Sequence, residues 1–410
     1  MSELLDDTFF ADPHEYYRRW RAQGPVHRID LGDGLDRWLI LGYEEGRAAL
    51  ADPRLRKDIA LFDTVLARKR GVTRANPRPQ EVLRHMLNSD PPDHTRLRKA
   101  VSRAFTARQV ARLQPIIERT TDELLDAMGE FERVDLLEAF AVPLPVTVIC
   151  HLLGVAIEDH DTFRAWTRAM VGTADSATDR ARAHDDMVRF LRDTVRDKRA
   201  RPGADLLSVL VADTEAQLDE QELVGMALLL LVAGHETTVN LIGNGMLALL
   251  RDRPWLERLS ADPELIPAAV EEFLRFDGPV DLATPRFTVQ PITVGDTVIP
   301  AGEVVYVALA AGNHDPAHYP DPDRLDLTAD RGSHLAFGHG VHYCVGAPLA
   351  RLEARTAFAG LLRRFPDIEL AAAESALRRY PNPIIRGLTD LPVRLRKSES
   401  IRNPVGSEDR

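Results

Sequence analysis

The sequence predicts a mainly α-helical domain with smaller β-sheets, on three observations. Helical periodicity runs through Ala107 to Gly129, Val134 to Val155 and Glu158 to Arg201, and reaches its greatest length from Leu218 to Arg251. Strand-like alternation is confined to Val26 to Leu41 and Val289 to Leu309. With 410 residues and 44% hydrophobic content the chain can bury a large core, as one large domain or two smaller ones, and no internal repeat divides it.

Two cysteines argue against a disulfide framework. The 63 acidic and 52 basic residues leave a net charge of -11, which gives no support to nucleic acid as a partner. Met1 to Asp12 carries several acids and no long apolar run, so neither signal peptide nor membrane anchor is expected, and a cytoplasmic location is.

Taken in order, Pro13 to Gly24 reads as a short helix, and Val26 to Leu31 with Trp38 to Leu41 as a hairpin around Gly32-Asp33-Gly34. Tyr43 to Ala51 is a second helix, and Asp58 to Leu87, poorly periodic and rich in Arg, Lys and Pro, reads as solvated loop. After Pro91-Pro92 comes a helix on which His94 and Arg98, four apart, share a face. Two donors so placed suit an anion such as a carboxylate pair, or simply decorate the surface. Pro143 and Pro145 mark a break, and Cys150 reads as a core residue.

The longest helix changes character at Ala233-Gly234-His235-Glu236-Thr237-Thr238, where polar groups follow the apolar run Met226 to Val232. A threonine there can bond back to a carbonyl of the preceding turn, and a glycine leaves space, so a groove with a hydroxyl and a carboxylate results. Dioxygen and water fit such a groove; a kink with a satisfied Glu is the alternative. Further on, Pro263 to Phe276 is a helix with Glu272 and Arg275 three apart, close enough for an intrahelical pair. Strands with a turn at Pro300-Ala301-Gly302 lead to a last helix, Ala347 to Arg364, and to the apolar turn Pro381-Asn382-Pro383-Ile384-Ile385. The tail, 397–410, is expected to be disordered.

Cys344 lies in Phe337-Gly338-His339-Gly340-Val341-His342-Tyr343-Cys344-Val345-Gly346, just before the last helix begins. Pro348 suits a first helical turn, and the free N–H groups and dipole of that turn favour a thiolate over a thiol. One cysteine cannot build a zinc or iron–sulfur site, although it can be the lone protein ligand of a haem iron. From these residues alone Cys344 reads either as such a ligand or as a buried free thiol.

Phe337, Gly340, Cys344 and Gly346 match, position for position, the haem-binding loop of the cytochrome P-450 superfamily, and the chain resembles its bacterial haem-thiolate monooxygenases over nearly its whole length. The resemblance implies a single-domain P-450 fold over 1–396 with haem b buried between the helix of Thr237 and the loop of Cys344. It makes Cys344 the axial iron ligand, with Phe337 and Gly346 shaping its surroundings. His94, Arg98, Arg286 and His342 become haem-propionate partners. Glu236 and Thr237 become the catalytic pair that delivers protons during dioxygen activation. Glu272 and Arg275, joined by Arg324, lock the cysteine loop. Met86, Leu87, Val232, Ala233, Val280, Leu282, Ile384 and Ile385 become the substrate pocket. The segment 163–176 corresponds to the lid of relatives.

The expected activity is insertion of one oxygen atom of O2 into a hydrophobic small molecule, by hydroxylation or epoxidation. The residues around Ala233 and Cys344 look most like actinobacterial enzymes that tailor macrolides and other polyketides; a steroid, sterol or xenobiotic hydroxylase is the alternative. A peroxygenase is disfavoured by the acid–alcohol pair, and a non-catalytic haem protein by the same residues. No flavin or iron–sulfur module is present, so electrons are expected from a ferredoxin with its NAD(P)H-dependent reductase. Arg98, Lys99, Arg103, His339 and Arg351 would form its docking patch.

Overall fold

The computed structural model describes residues 2–72, 83–155, 162, 166, 177–329 and 332–395. Its axis is the helix Glu220–Arg251, capped by a reciprocal box in which Asp219 accepts from Glu222 N–H and the Glu222 carboxylate accepts from Asp219 N–H. Helices Pro143–Leu153, Ala177–Ala200, Ile266–Asp277 and Ala347–Arg364 pack against it. Apolar residues around most of its circumference permit this, because a helix buried on nearly all sides needs no polar stripe. By length and composition this helix could cross a membrane, yet 67% of its apolar window is buried among its neighbours.

Glycine sets one of these approaches. A Cβ on Gly245 would lie 2.6 Å from Phe358 and 3.0 Å from Phe273, two rings that meet tilted at 4.9 Å between centroids.

Strands β1 (Glu3–Leu4), β2 (Val26–Asp30), β3 (Asp36–Ile40), β4 (Leu55–Arg56), β6 (Arg286–Thr288) and β9 (Val304–Val307) form one sheet in the order β1-β2-β3-β9-β6-β4. The hairpin register pairs Val26 with Ile40, and β4 runs antiparallel to β6 with Leu55 opposite Thr288 and Arg56 opposite Phe287. Strand β5 (Arg133–Asp135) joins β10 (Glu369–Leu370) and β11 (Pro392–Arg394), while β7 (Ile292–Val294) and β8 (Thr297–Ile299) form a hairpin.

Two expectations are corrected. Asp58 to Leu87 is not all loop: Asp58 caps a helix, Ile59–Lys69, by accepting from Leu61 N–H, and the helix buries Phe62 and Leu66. Its Arg68 and Lys69 reach across to Gly302 O and Glu303. The run from Val134, with its expected break at Pro143, opens as a strand and not as a helix. It comprises β5, a π-turn at Leu137–Ala141 closed by Val142 N–H on Leu137 O, and then Pro143–Leu153. Pro143 and Pro145 have no N–H to continue the hydrogen bonding of the π-turn, so a new helix starts there. The lid segment 163–176 (of which only Trp166 is described) and the tail 397–410 lie outside the described residues.

Gly245→Val should overpack the two rings and lower stability by about 1–3 kcal/mol, measured by denaturant unfolding.

Candidate active site

The loop before the last helix turns twice on glycines in the left-handed region, Gly338 at φ 70° and Gly340 at φ 74°. At Gly340 a Cβ would lie 2.7 Å from Leu50 O, so backbone approach as well as φ requires glycine. Cys344 N–H donates to Phe337 O at 2.9 Å, which closes the loop. The sulfur accepts from the N–H groups of Gly346 and Ala347 at the start of Ala347–Arg364. Cys344 retains accessible surface on one side while protein encloses it on the others. Burial raises its pKa and outweighs the two N–H groups and Arg98. The expected preference for thiolate is therefore corrected for the bare chain, where desolvation favours the thiol.

A carboxylate hub holds this loop from behind. Glu271 accepts two hydrogen bonds of 2.7 Å from Arg351, whose guanidinium lies 4.5 Å over the Phe337 ring, and one of 3.2 Å from His334. The neighbouring Glu272 faces the other way and takes a buried bidentate pair with Arg275, at 2.7 and 2.8 Å. Arg275 also donates to the carbonyls of Asn313, Pro322 and Arg324. Arg324 thus joins the pair through its carbonyl, and its guanidinium bridges Asp326, whose N–H donates to Glu272.

On the core helix, Leu229, Val232, Ala233, Glu236 and Thr237 keep accessible surface amid buried residues. Their spacing of three and four puts them on one face, which must border a cavity. Thr237 Oγ1 donates to Ala233 O at 2.9 Å, and Asn240 Nδ2 donates to Glu236 O at 2.8 Å and to its Oε1 at 3.2 Å. Burial raises the Glu236 pKa, while the Asn240 bond works against it. Gly234 does not make the groove as expected. A Cβ there would lie 2.9 Å from Ile149, so this glycine admits the neighbouring helix and the small side chain at the groove is Ala233. The adjacent Thr238 is buried on the other side and donates to Glu353. Glu353 is fully enclosed, its Oε2 has no partner, and burial pushes its pKa up to about 8.

The basic residues converge. The rings of His94 and His342 lie 4.4 Å apart, and His94 Nε2 is buried without a partner. Arg286 is buried and donates to Thr284 O at 3.2 Å, with burial pulling its pKa down to about 10. Arg98 has no hydrogen-bond or ion-pair partner among the described residues, and its charge acts on Cys344 and His342. Sequence reasoning missed two members, Lys57 and His85, both buried. Their neighbours carry no motif, and only the register of β4 against β6 brings Lys57 beside Arg286.

The pocket walls are partly as expected. Leu87, Val232, Ala233, Val280, Ile384 and Ile385 keep accessible surface. Leu282 is corrected: bridged to Ala308, it is fully buried among Tyr17, Leu39 and Tyr306. Met86 is also buried, its N–H on Met226 Sδ at 3.3 Å. Val280 bridges Ile385, and the two segments are clamped by Asp277, which accepts 2.6 Å bonds from Arg379 and Arg386. Asn244 on the core helix ties in Arg379 and the carbonyls of Asp277 and Arg386.

The cations expected to form the docking patch are partly engaged within the chain. Lys99 pairs with Glu215, Arg103 with Asp213 and Glu215, and Arg351 with Glu271, so three of the five cations are matched by the chain's own acids. Val341 and Tyr343 on the cysteine loop stand 57% and 39% exposed.

A sulfur with one open side, a face of small and polar groups on the core helix and a cluster of basic side chains with no ion-paired carboxylate among the described residues fit a sulfur-ligated, anionic metal cofactor. A family model described as Cytochrome P450 matches residues 157–383. The chain is 47% identical over 407 residues to the cytochrome P450 monooxygenase PikC of Streptomyces venezuelae, covering 98% of this chain and 95% of the relative. It is 44% identical over 394 residues to the vitamin D(3) 25-hydroxylase of Pseudonocardia autotrophica, covering 95% and 96%. Among solved structures, the tirandamycin C-bound P450 monooxygenase TamI superposes with a TM-score of 0.88 at 46% identity, covering 96% of this chain and all of that one.

Glu353 allows a pH test. A carboxyl whose folded pKa is raised keeps its proton while the unfolded chain releases one, so stability falls as pH rises from about 4.5 to about 8. Glu353→Gln should match the parent near pH 4 and exceed it at pH 8 in denaturant unfolding.

Proposed function

The chain belongs to the cytochrome P450 family, and from that premise we propose that it hydroxylates or epoxidises a macrolide or related polyketide, with Glu236 and Thr237 as its catalytic pair. It is a haem-thiolate monooxygenase whose cofactor is haem b, acting on a small molecule with dioxygen and redox partners. The observation that carries the site assignment is the accessible face of the core helix, where Thr237 and Glu236, its pKa raised by burial, stand amid buried residues.

When bound, haem supplies the redox chemistry that activates dioxygen. Cys344 would hold the iron, and His94, Arg98, Arg286 and His342 would hold the two carboxylates. The partnerless His94 Nε2 and Arg98 support that fit. Glu236 is enclosed enough to retain a proton at higher pH than a free carboxyl, and Asn240 fixes its orientation. Thr237, set by its bond to Ala233 O, presents its hydroxyl toward the same groove and passes protons inward. Leu87, Val232, Val280, Ile384 and Ile385 offer apolar surface to the substrate.

The substrate class rests on relatives that include a polyketide biosynthesis cytochrome P450, a 6-deoxyerythronolide B hydroxylase and a mycinamicin IV hydroxylase/epoxidase. The vitamin D relative favours a sterol as the second reading. Electrons come from a ferredoxin and its NAD(P)H-dependent reductase in a cytoplasmic setting. The exposed Val341 and Tyr343 serve this docking better than the neutralised cations do.

The reduced protein with carbon monoxide should give a strongly red-shifted Soret band that Cys344→Ala abolishes; a histidine-type band in the parent would overturn the assignment. With NADPH, ferredoxin and reductase, products carrying one added oxygen should form from macrolides. Sterol turnover alone would select the second reading, and turnover only with hydrogen peroxide would select a peroxygenase. Thr237→Ala should cut product per NADPH on the order of tenfold or more and release peroxide; tight coupling in that variant would refute its role.

A further inference from the structure

Lys57 has no function in the reading above, yet its position is demanding. It is only 4% exposed, and its Nζ donates to Thr284 Oγ1, a neutral partner. No carboxylate side chain pairs with it among the described residues. Asp90, the one acid whose field reaches it, directs its carboxylate to the backbone N–H groups of Lys57 and Asp58 at 2.9 to 3.2 Å. A buried ammonium whose nearest carboxylate is engaged by backbone N–H groups is costly, because desolvation outweighs the attraction of Asp90.

The surroundings add positive charge. The β4–β6 register, Leu55 opposite Thr288 and Arg56 opposite Phe287, continues to bring Lys57 opposite Arg286. Both grip the same residue, Lys57 through the hydroxyl of Thr284 and Arg286 through its carbonyl. The charge of Lys57 also acts on His85, His94 and His342. Independently, His94 Nε2 and His85 Nδ1 are buried polar atoms with no partner. Cations and unmet polar groups gathered in one place require an anion that the chain itself does not supply.

We propose that Lys57 is a direct ligand of the haem carboxylate that Arg286 also holds, with Thr284 setting the spacing of the two cations. The assignment rests on the haem-thiolate reading. Arg286 offers a planar fork and Lys57 a point charge, so together they neutralise one carboxylate from two directions. The ammonium is thereby paired only in the haem-loaded protein.

The test uses purified holoenzyme and two readouts other than turnover. Lys57→Met should transfer its ferric haem to a haem-scavenging globin about tenfold faster than the parent, the loss expected for one charge-assisted hydrogen bond. Its reduction potential should become more negative, because a positive charge beside the haem favours the electron-rich state. Its carbon monoxide band should remain that of thiolate ligation. Lys57→Arg should restore both readouts to near the parent's. A merely structural lysine would change the potential in neither variant, so a parent-like potential and haem-loss rate in Lys57→Met overturns the proposal. If Lys57→Met does not purify as holoenzyme, Lys57→Gln is judged by the same two outcomes. Absence of a thiolate-type band in the parent would instead defeat the haem-thiolate reading.

Discussion

The structure depends on a concentration of positive charge that the polypeptide does not neutralise. Arg98 and Arg286, with the donors His94 and His342 whose pKa values burial and the neighbouring cations pull down, come from three separate parts of the chain and meet with only the field of Asp90 against them. In a protein of net charge -11 this is a local inversion, maintained by burial and by tight backbone geometry. The repulsion is tolerable because a dianionic cofactor completes the set, so cofactor binding and folding are thermodynamically linked.

Two neighbouring glutamates on Ile266–Asp277 keep the other side of the site in place. Glu271 holds the cysteine loop through Arg351 and His334, and its pKa is lowered to about 2 by those partners, against burial. Glu272 holds Arg275 and, through it, carbonyls at 313, 322 and 324. One helix turn therefore fixes both the ligand loop and the irregular segment before it. The side chains that do this touch neither the sulfur nor the groove, which is why spacing alone assigns them no chemical step.

Much of this was legible in the sequence. The hairpin, the helix Tyr43–Ala51, the core helix and the last helix all follow from periodicity, caps and turns, and the cysteine loop from its glycines. What was not legible depends on tertiary register. Lys57 looks like one more cation in a basic stretch until β4 is laid on β6. Gly234 looks like a groove former until Ile149 is seen against it. The cations of the expected docking patch look free until Asp213 and Glu215, more than a hundred residues away, are folded onto them. Leu282 and Met86 lie in short irregular segments whose inward and outward positions no periodicity marks.

The clamp on Asp277 has a bearing on how this pocket can change. Val280 and Ile385 are joined by a backbone bridge, and Arg379, Arg386 and Asn244 anchor both of their segments to the same carboxylate and the same helix. The two walls therefore form one mechanical unit, and substitutions in one will shift the other. Selectivity cannot be assembled here from independent single changes: combinations at 280, 384 and 385 will be epistatic. The accessible residues at 87, 232 and 233 lie on other elements and provide the positions where specificity can drift one step at a time.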